Sequence, residues 1–161
     1  MLRRCFSYLS SSLRRIILPK VIPLRTDFHF IKEITTRWMD NDVFGHVNNV
    51  TYYSYFDTVA NTYLIERGGI DFQTSSVIAF IVNSQCSYFS SVAYPDKIVA
   101  AFRVNRIGNS SVEYGVAIFK EGQQSASAYG TMTHVFVDRK TEKPVKIEGM
   151  LRAVLEQALK K

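Results

Sequence analysis

Two carboxylates, a histidine and three asparagines fall within ten residues, Asp40 to Asn49, in the order Asp-Asn-Asp-Val-Phe-Gly-His-Val-Asn-Asn. Carboxylates and an imidazole at this density can move a proton to or from a bound substrate, or attack it. A long aromatic-rich helical pattern follows at once, and a helix start offers unpaired N–H groups and partial positive charge. That equipment polarises a carbonyl or holds an anion, so the segment reads as a chemical site at a helix N-terminus. Other roles stay open within it. Asn48 and Asn49 are good helix caps, so their side chains serve structure as readily as catalysis. Gly45 allows either a positive φ or close approach of a ligand to the backbone. Asp40 reads as a loop-organising or solvated carboxylate.

The elements that must position these residues follow from hydrophobic periodicity. Phe28 to Arg37 reads as a first strand, and Val50 to Arg67 as a helix that ends at Gly68 and Gly69. Four extended segments come next, Val77 to Phe89, Lys97 to Ile107, Ser111 to Lys120 and Ser125 to Asp138, rich in Val, Ile, Phe, Tyr and Thr. The separators Tyr94-Pro95-Asp96, Gly108-Asn109 and Glu121-Gly122 are short turns that imply antiparallel neighbours. Glu148 to Lys161 adds a short amphipathic helix with Leu151, Val154, Leu155 and Leu159 on one face. The central helix carries so many apolar and aromatic residues that it needs burial almost all round. A curved antiparallel five-stranded sheet wrapped around one long helix, an α+β fold, meets that need.

The net charge of +6 belongs to the leader. Six of the 20 basic residues lie in the first 26 positions, where no Asp or Glu occurs, and the remaining 14 match the 14 acidic residues. No nucleic-acid partner is therefore expected. Leu2, Phe6, Leu9, Leu13 and Ile17 share one helical face opposite the arginines. A basic, acid-free amphipathic leader is the pattern of a mitochondrial transit peptide, and implies the matrix as destination. The expected organisation is a leader over residues 1–26 and a single domain over 27–161. No run reaches the roughly 18 apolar residues of a spanning helix, so stable membrane insertion is not expected. Cys5 and Cys86 form no disulfide framework, and His29, His46 and His134 are too dispersed for a metal site. His29 and His134 read as ordinary strand residues.

From about Phe30 to Met150 the chain resembles the hotdog-fold acyl-CoA thioesterases of the 4-hydroxybenzoyl-CoA thioesterase-like group. The residues that carry the resemblance are Arg37 followed by DNDVFGHVNN and Tyr52, the stretch from Tyr88-Phe89 to Tyr94-Pro95-Asp96, Gly108-Asn109-Ser110-Ser111, and VFVDRKTEKPV from Val135 to Val145. Gly45 to Asn49 is also similar to plant acyl-ACP thioesterases and bacterial long-chain acyl-CoA thioesterases, which implies fatty rather than aromatic acyl groups. The resemblance implies hydrolysis of an acyl-CoA or acyl-ACP thioester without a cofactor. It implies Asp42 as base or nucleophile and the Asn49 backbone N–H as oxyanion donor, with Gly45, Asn48 and Tyr52 near the substrate. His46 matches a catalytic residue of the acyl-ACP branch but is dispensable in the 4-hydroxybenzoyl-CoA enzyme, so it stands as participant or positioner. Arg139 and Lys140 would meet CoA phosphates at the mouth, or simply close a solvated strand end. Tyr52, Phe56 and Tyr63 form a stripe that suits the core or a dimer contact.

Relatives place each site between two subunits, and an edge strand needs a partner, so a homodimer or homotetramer is expected. Two other functions remain: a hotdog hydratase or dehydratase, whose different acid and histidine arrangement is not found here, and a non-catalytic acyl-CoA-binding protein, which the retained Asp42 argues against.

Overall fold

The five apolar runs form one antiparallel sheet in the computed structural model, which describes residues 21–71 and 73–160. The strands are β1 (Phe30–Thr35), β2 (Val77–Tyr88), β3 (Lys97–Ile107), β4 (Ser111–Lys120) and β5 (Ala128–Asp138), in the spatial order β1-β3-β4-β5-β2. The central helix α1 (Asn49–Glu66) packs across one face, and α2 (Gly149–Gln157) follows β5. This is the hotdog architecture that the resemblance implies. The transit-peptide reading rests largely on residues 1–20, which lie outside the described residues.

Why the sheet can wrap the helix is visible at Gly130 on β5. A Cβ there would overlap the Phe56 ring of α1 and the Gln85 carbonyl of β2. The missing side chain lets the helix sit directly on the strand. Phe56, Val59 and Ala60 are fully covered as a result, and burying a side chain of Phe56's size contributes about 2 kcal/mol. Tyr63 extends the contact, stacking on Phe102 at 4.6 Å and donating its hydroxyl to the Val154 carbonyl at 2.6 Å. The helix is nevertheless not covered all round: in one chain Val50 and Ile65 remain 69% and 42% exposed. Residues at the turn positions 50, 54, 57 and 58 form an open face that the sheet of the same chain does not reach.

The outer face of the sheet has a smaller core of its own. Phe28, Val99, Ala101, Ala117, Phe119 and Ala126 pack there. The Arg103 guanidinium lies 4.9 Å above the Phe28 ring and donates to the Asp27 carbonyl at 3.3 Å, which clamps the incoming chain. That chain is docked earlier than expected. Pro23 accepts from Ala126 N–H at 3.0 Å and Arg25 donates to Gln124 at 2.9 Å, so the fold already includes the residues just ahead of Asp27. The same crossing delays β1 to Phe30 and leaves His29 exposed before it. α2 stops at Gln157, and Leu159 leaves its face to bridge Val104 on β3.

The two margins of the sheet differ. β1 is short, whereas β2 is 12 residues long and, among the described residues, pairs only with β5. β2 has a register irregularity between Ile81 and Asn83, and Phe80, Ile81 and Val82 are 40%, 49% and 60% exposed. Such an edge presents backbone N–H and C=O groups that a further strand could pair with.

Candidate active site

Asp42 sits in a turn that the chain builds for itself. Its N–H donates to the His46 carbonyl at 2.8 Å and its carbonyl accepts from Gly45 N–H at 3.1 Å. Gly45 closes the turn with φ of +78°, a left-handed conformation that costs glycine little. The Asp42 carboxylate then folds back: Oδ1 accepts from Phe44 N–H at 2.8 Å and, more weakly, from His46 N–H at 3.4 Å. This side-chain turn is typical of aspartate. It fixes the carboxylate by one oxygen, and Oδ2 has no hydrogen-bond partner among the described residues.

Asp40 anchors the turn from below. Its carboxylate is buried and accepts from the Arg37 N–H (2.7 Å), from Arg37 Nε and Nη2 (3.1 and 2.9 Å) and from the Tyr55 hydroxyl (2.7 Å). Burial acts to raise the Asp40 carboxyl, but the bonds from Arg37 and Tyr55 outweigh it and the net direction is down. Burial, with Asp40 as acceptor, raises the Tyr55 phenol. Of the two roles open to Asp40 in the sequence, the structure selects loop organisation. The Asp40 carbonyl also accepts from Asn48 N–H at 2.8 Å, which delivers the chain to the start of α1. There the Asn48 side chain caps the helix by accepting from Val50 N–H at 3.1 Å.

Asp42, His46, Val47, Asn49, Tyr52, Tyr88, Ser90 and Ser91 line one cleft of about 340 Å³. It is built from the Asp42 turn, the first residues of α1 and the end of β2. Asn49 is the first helical residue, so its N–H is among those a helix leaves unpaired. The Tyr88 hydroxyl donates to the Asn49 carbonyl at 3.2 Å, and the Tyr88 ring meets Tyr52 edge-on at 5.1 Å. Burial pushes the Tyr52 phenol up to about 12, and burial with Cys86 nearby raises Tyr88. Both therefore stay protonated near neutral pH, with a proton to donate. Val47 N–H bonds to the Val92 carbonyl at 2.7 Å, holding the turn against the segment after β2. Chemically, the cleft sets a carboxylate oxygen and an imidazole beside the positive end of a helix, the arrangement that activates water or attacks a polarised carbonyl.

Five of the eight residues singled out in the sequence belong to this region and line the cleft or shape its turn in a defined way. Asp42, His46, Asn49 and Tyr52 line it, and Gly45 shapes the turn. Asn48 acts behind it as the helix cap. Within a single chain Arg139 and Lys140 lie away from the cleft. Arg139 donates its N–H to Ser76 and its Nε to Ser75, at 2.8 and 2.7 Å, beside the start of β2. The β2–β5 ladder runs from Val77 opposite Asp138 to Tyr88 opposite Ala128. At about 3.3 Å per residue these two residues lie roughly 35 Å along the sheet from Tyr88. Tyr88, Ser90 and Ser91 are cleft residues that motif spacing did not mark. Their signal was the Tyr88 to Asp96 stretch shared with the resembled family. His134 is a strand residue as expected, but both ring nitrogens and the neighbouring Tyr114 hydroxyl are buried without a hydrogen-bond partner among the described residues.

Comparison with known proteins agrees with the geometry. The family model of the thioesterase-like superfamily matches residues 36–155. The PA5185 protein of Pseudomonas aeruginosa strain PAO1 has a solved structure that is 51% identical, covers 88% of this chain and 99% of that one, and superposes with a TM-score of 0.85. The long-chain acyl-CoA thioesterase FadM of Escherichia coli strain K12 is 28% identical over 129 residues, which is 80% of this chain and 98% of FadM. The uncharacterized protein YsmA of Bacillus subtilis strain 168 is 26% identical over 88 residues, and the matched part spans 59% of YsmA. With the matched region reaching from the end of β1 through the cleft to α2, the chain belongs to the thioesterase-like superfamily and is a hotdog-fold thioesterase.

Proposed function

We propose that the protein hydrolyses fatty acyl-CoA thioesters to free acid and CoA in the Asp42 cleft. The observation that carries this reading is the carboxylate oxygen of Asp42 left unbonded in the same cleft as the first N–H of α1. In this reading Asp42 Oδ2 takes a proton from water as the water oxygen adds to the thioester carbonyl. The developing oxyanion is held by Asn49 N–H, within the field of the helix terminus. Collapse breaks the carbon–sulfur bond, the thiolate leaves as CoA, and the proton on Asp42 returns to it. Direct attack by Asp42, giving a transient anhydride that water opens, uses the same atoms; hydroxylamine trapping of the enzyme during turnover separates the two routes. A second reading is favoured by the place of His46 on the cleft wall: a histidine-assisted acyl-ACP thioesterase.

The similarity to FadM supports a fatty acyl substrate carried on CoA. Thiol release from a panel of saturated acyl-CoAs of graded length tests it. A rate that rises with chain length is expected; hydrolysis confined to acyl-ACP, or no hydrolysis of any thioester, overturns it.

We further propose that two copies pair through their β2 edges. Antiparallel pairing about the irregularity at Ile81–Asn83 sets the Val77 end of one strand beside the Tyr88 end of the other. Arg139 and Lys140 of a second copy then stand near the cleft, where cations suit the phosphates of CoA. The leader is read as directing import into mitochondria, with cleavage ahead of the docked Pro23. A fusion of residues 1–30 to a fluorescent reporter checks this, and cytosolic or secretory localisation refutes it.

A further inference from the structure

Asn49 N–H has no hydrogen-bond partner among the described residues, yet the backbone groups on either side of it are all engaged. Asn48 N–H donates to the Asp40 carbonyl at 2.8 Å, and the Asn48 carbonyl accepts from Thr51 N–H at 2.9 Å. Val50 N–H donates to the Asn48 side chain at 3.1 Å. The Asn49 carbonyl takes Tyr53 N–H as its helical partner and receives a second bond, at 3.2 Å, from the Tyr88 hydroxyl. Both peptide planes that meet at Asn49 are thereby pinned. Of these bonds, only that from Tyr88 reaches in from outside the loop and helix start; it comes from the last residue of β2.

The Tyr88 bond adds little to stability. Its length exceeds the roughly 2.5–3.0 Å usual for an O–H donor to oxygen, and without it the Asn49 carbonyl still has Tyr53 N–H, so no buried acceptor is orphaned. Its effect is on direction. The N–H groups of a first helical turn have no intrahelical acceptors and helix ends fray, whereas an oxyanion donor works only when it is aimed beforehand at the oxygen it will hold. The Tyr88 ring is itself fixed edge-on against Tyr52 at 5.1 Å, which sets where its hydroxyl points. Burial raises the phenol, so the bond does not titrate away near neutral pH.

We infer that Tyr88 is a positioning residue for the reaction: its hydroxyl, bonded to the Asn49 carbonyl, fixes the first turn of α1 so that Asn49 N–H points at the thioester oxygen. The inference rests on the thioester-hydrolase reading of the cleft. In this role Tyr88 transfers no proton.

Tyr88→Phe keeps the ring and its contact with Tyr52 and removes only the hydroxyl. On the acyl-CoA that wild type cleaves fastest, kcat should fall about tenfold, with KM within about twofold and the thermal midpoint unchanged. The second readout is the infrared carbonyl band of an isotope-labelled ketone analogue of that substrate, with a methylene group in place of the sulfur, bound to the enzyme. A well-aimed donor weakens the carbonyl bond, so the band should lie at higher wavenumber in Tyr88→Phe than in wild type. A tyrosine that only ties the fold together leaves the band in place. Active wild type together with Tyr88→Phe at full kcat, or with an unmoved band, overturns the inference alone. Wild type that cleaves no thioester overturns the hydrolase reading and the inference with it.

Discussion

Asp40 and Asp42 are two residues apart in one loop, and their surroundings are opposite. Around Asp40 the chain supplies four donors from Arg37 and Tyr55, and the carboxylate is only 2% exposed. Around Asp42 it supplies two backbone N–H groups, both to one oxygen, and leaves the group half-open to a cleft. A carboxylate whose lone pairs are all engaged is a structural tie, because each bond must be broken before it can act on a substrate. A carboxylate fixed by one oxygen is oriented yet still available. The difference between the two arises from what packs around each, not from residue type.

The sharpest way to break this comparison is to remove each charge separately. Asp42→Asn keeps the shape and should lower kcat by about 10²- to 10⁴-fold, or roughly 3 to 5 kcal/mol, while the thermal midpoint stays nearly constant. Near-full activity in steady-state assays of this variant would remove Asp42 from the mechanism.

His134 supplies a third case, a buried polar group whose ring nitrogens have no hydrogen-bond partner among the described residues. Burial lowers its pKa from 6.5 to about 4, with Asp57 pulling weakly the other way. The folded state thus keeps the ring neutral while the unfolded chain protonates first. Its contribution is fully present above pH 6.5 and drains away as the pH falls from 6.5 to 4, by up to roughly 3 kcal/mol. Denaturant unfolding of wild type and His134→Leu across that range measures it; the variant should lose the extra slope, and parallel curves would refute the assignment.

Asp40→Asn should invert the pattern of Asp42→Asn. We expect a loss of about 2 kcal/mol in stability, a fall of roughly 4 to 8 °C in thermal midpoint, and kcat within about tenfold of wild type. Because the folded Asp40 carboxyl is lowered, its stabilisation is present at neutral pH and is lost only in acid, below its ordinary value of 3.8. That window lies below the one assigned to His134, so the two can be told apart in one titration.

His46→Ala should have the smallest effect, a few-fold in kcat, because the bonds from residue 46 to Asp42 are made by its backbone, which alanine keeps. A loss as large as that of Asp42→Asn would instead make the histidine a participant and favour the acyl-ACP reading.

The local parts of this protein could be read from its residues. Alternating Val, Ile, Phe and Tyr announced five strands, all of their bounds within three residues of those observed, because a strand's side chains alternate whatever its neighbours are. Gly68 and Gly69 marked the end of α1, and the Asp40–Asn49 motif marked the cleft, because turn and cap chemistry acts over a few residues. Tertiary structure decided the rest. The order β1-β3-β4-β5-β2 made β2 an open edge, and no period in the sequence states which strand is last. The same ladder moved Arg139 and Lys140 away from the cleft of their own chain and brought Tyr88, Ser90 and Ser91 into it. Only packing against Tyr55 and Arg37 distinguished Asp40 from Asp42, since burial and hydrogen bonding depend on groups that the fold brings together from distant positions in the chain.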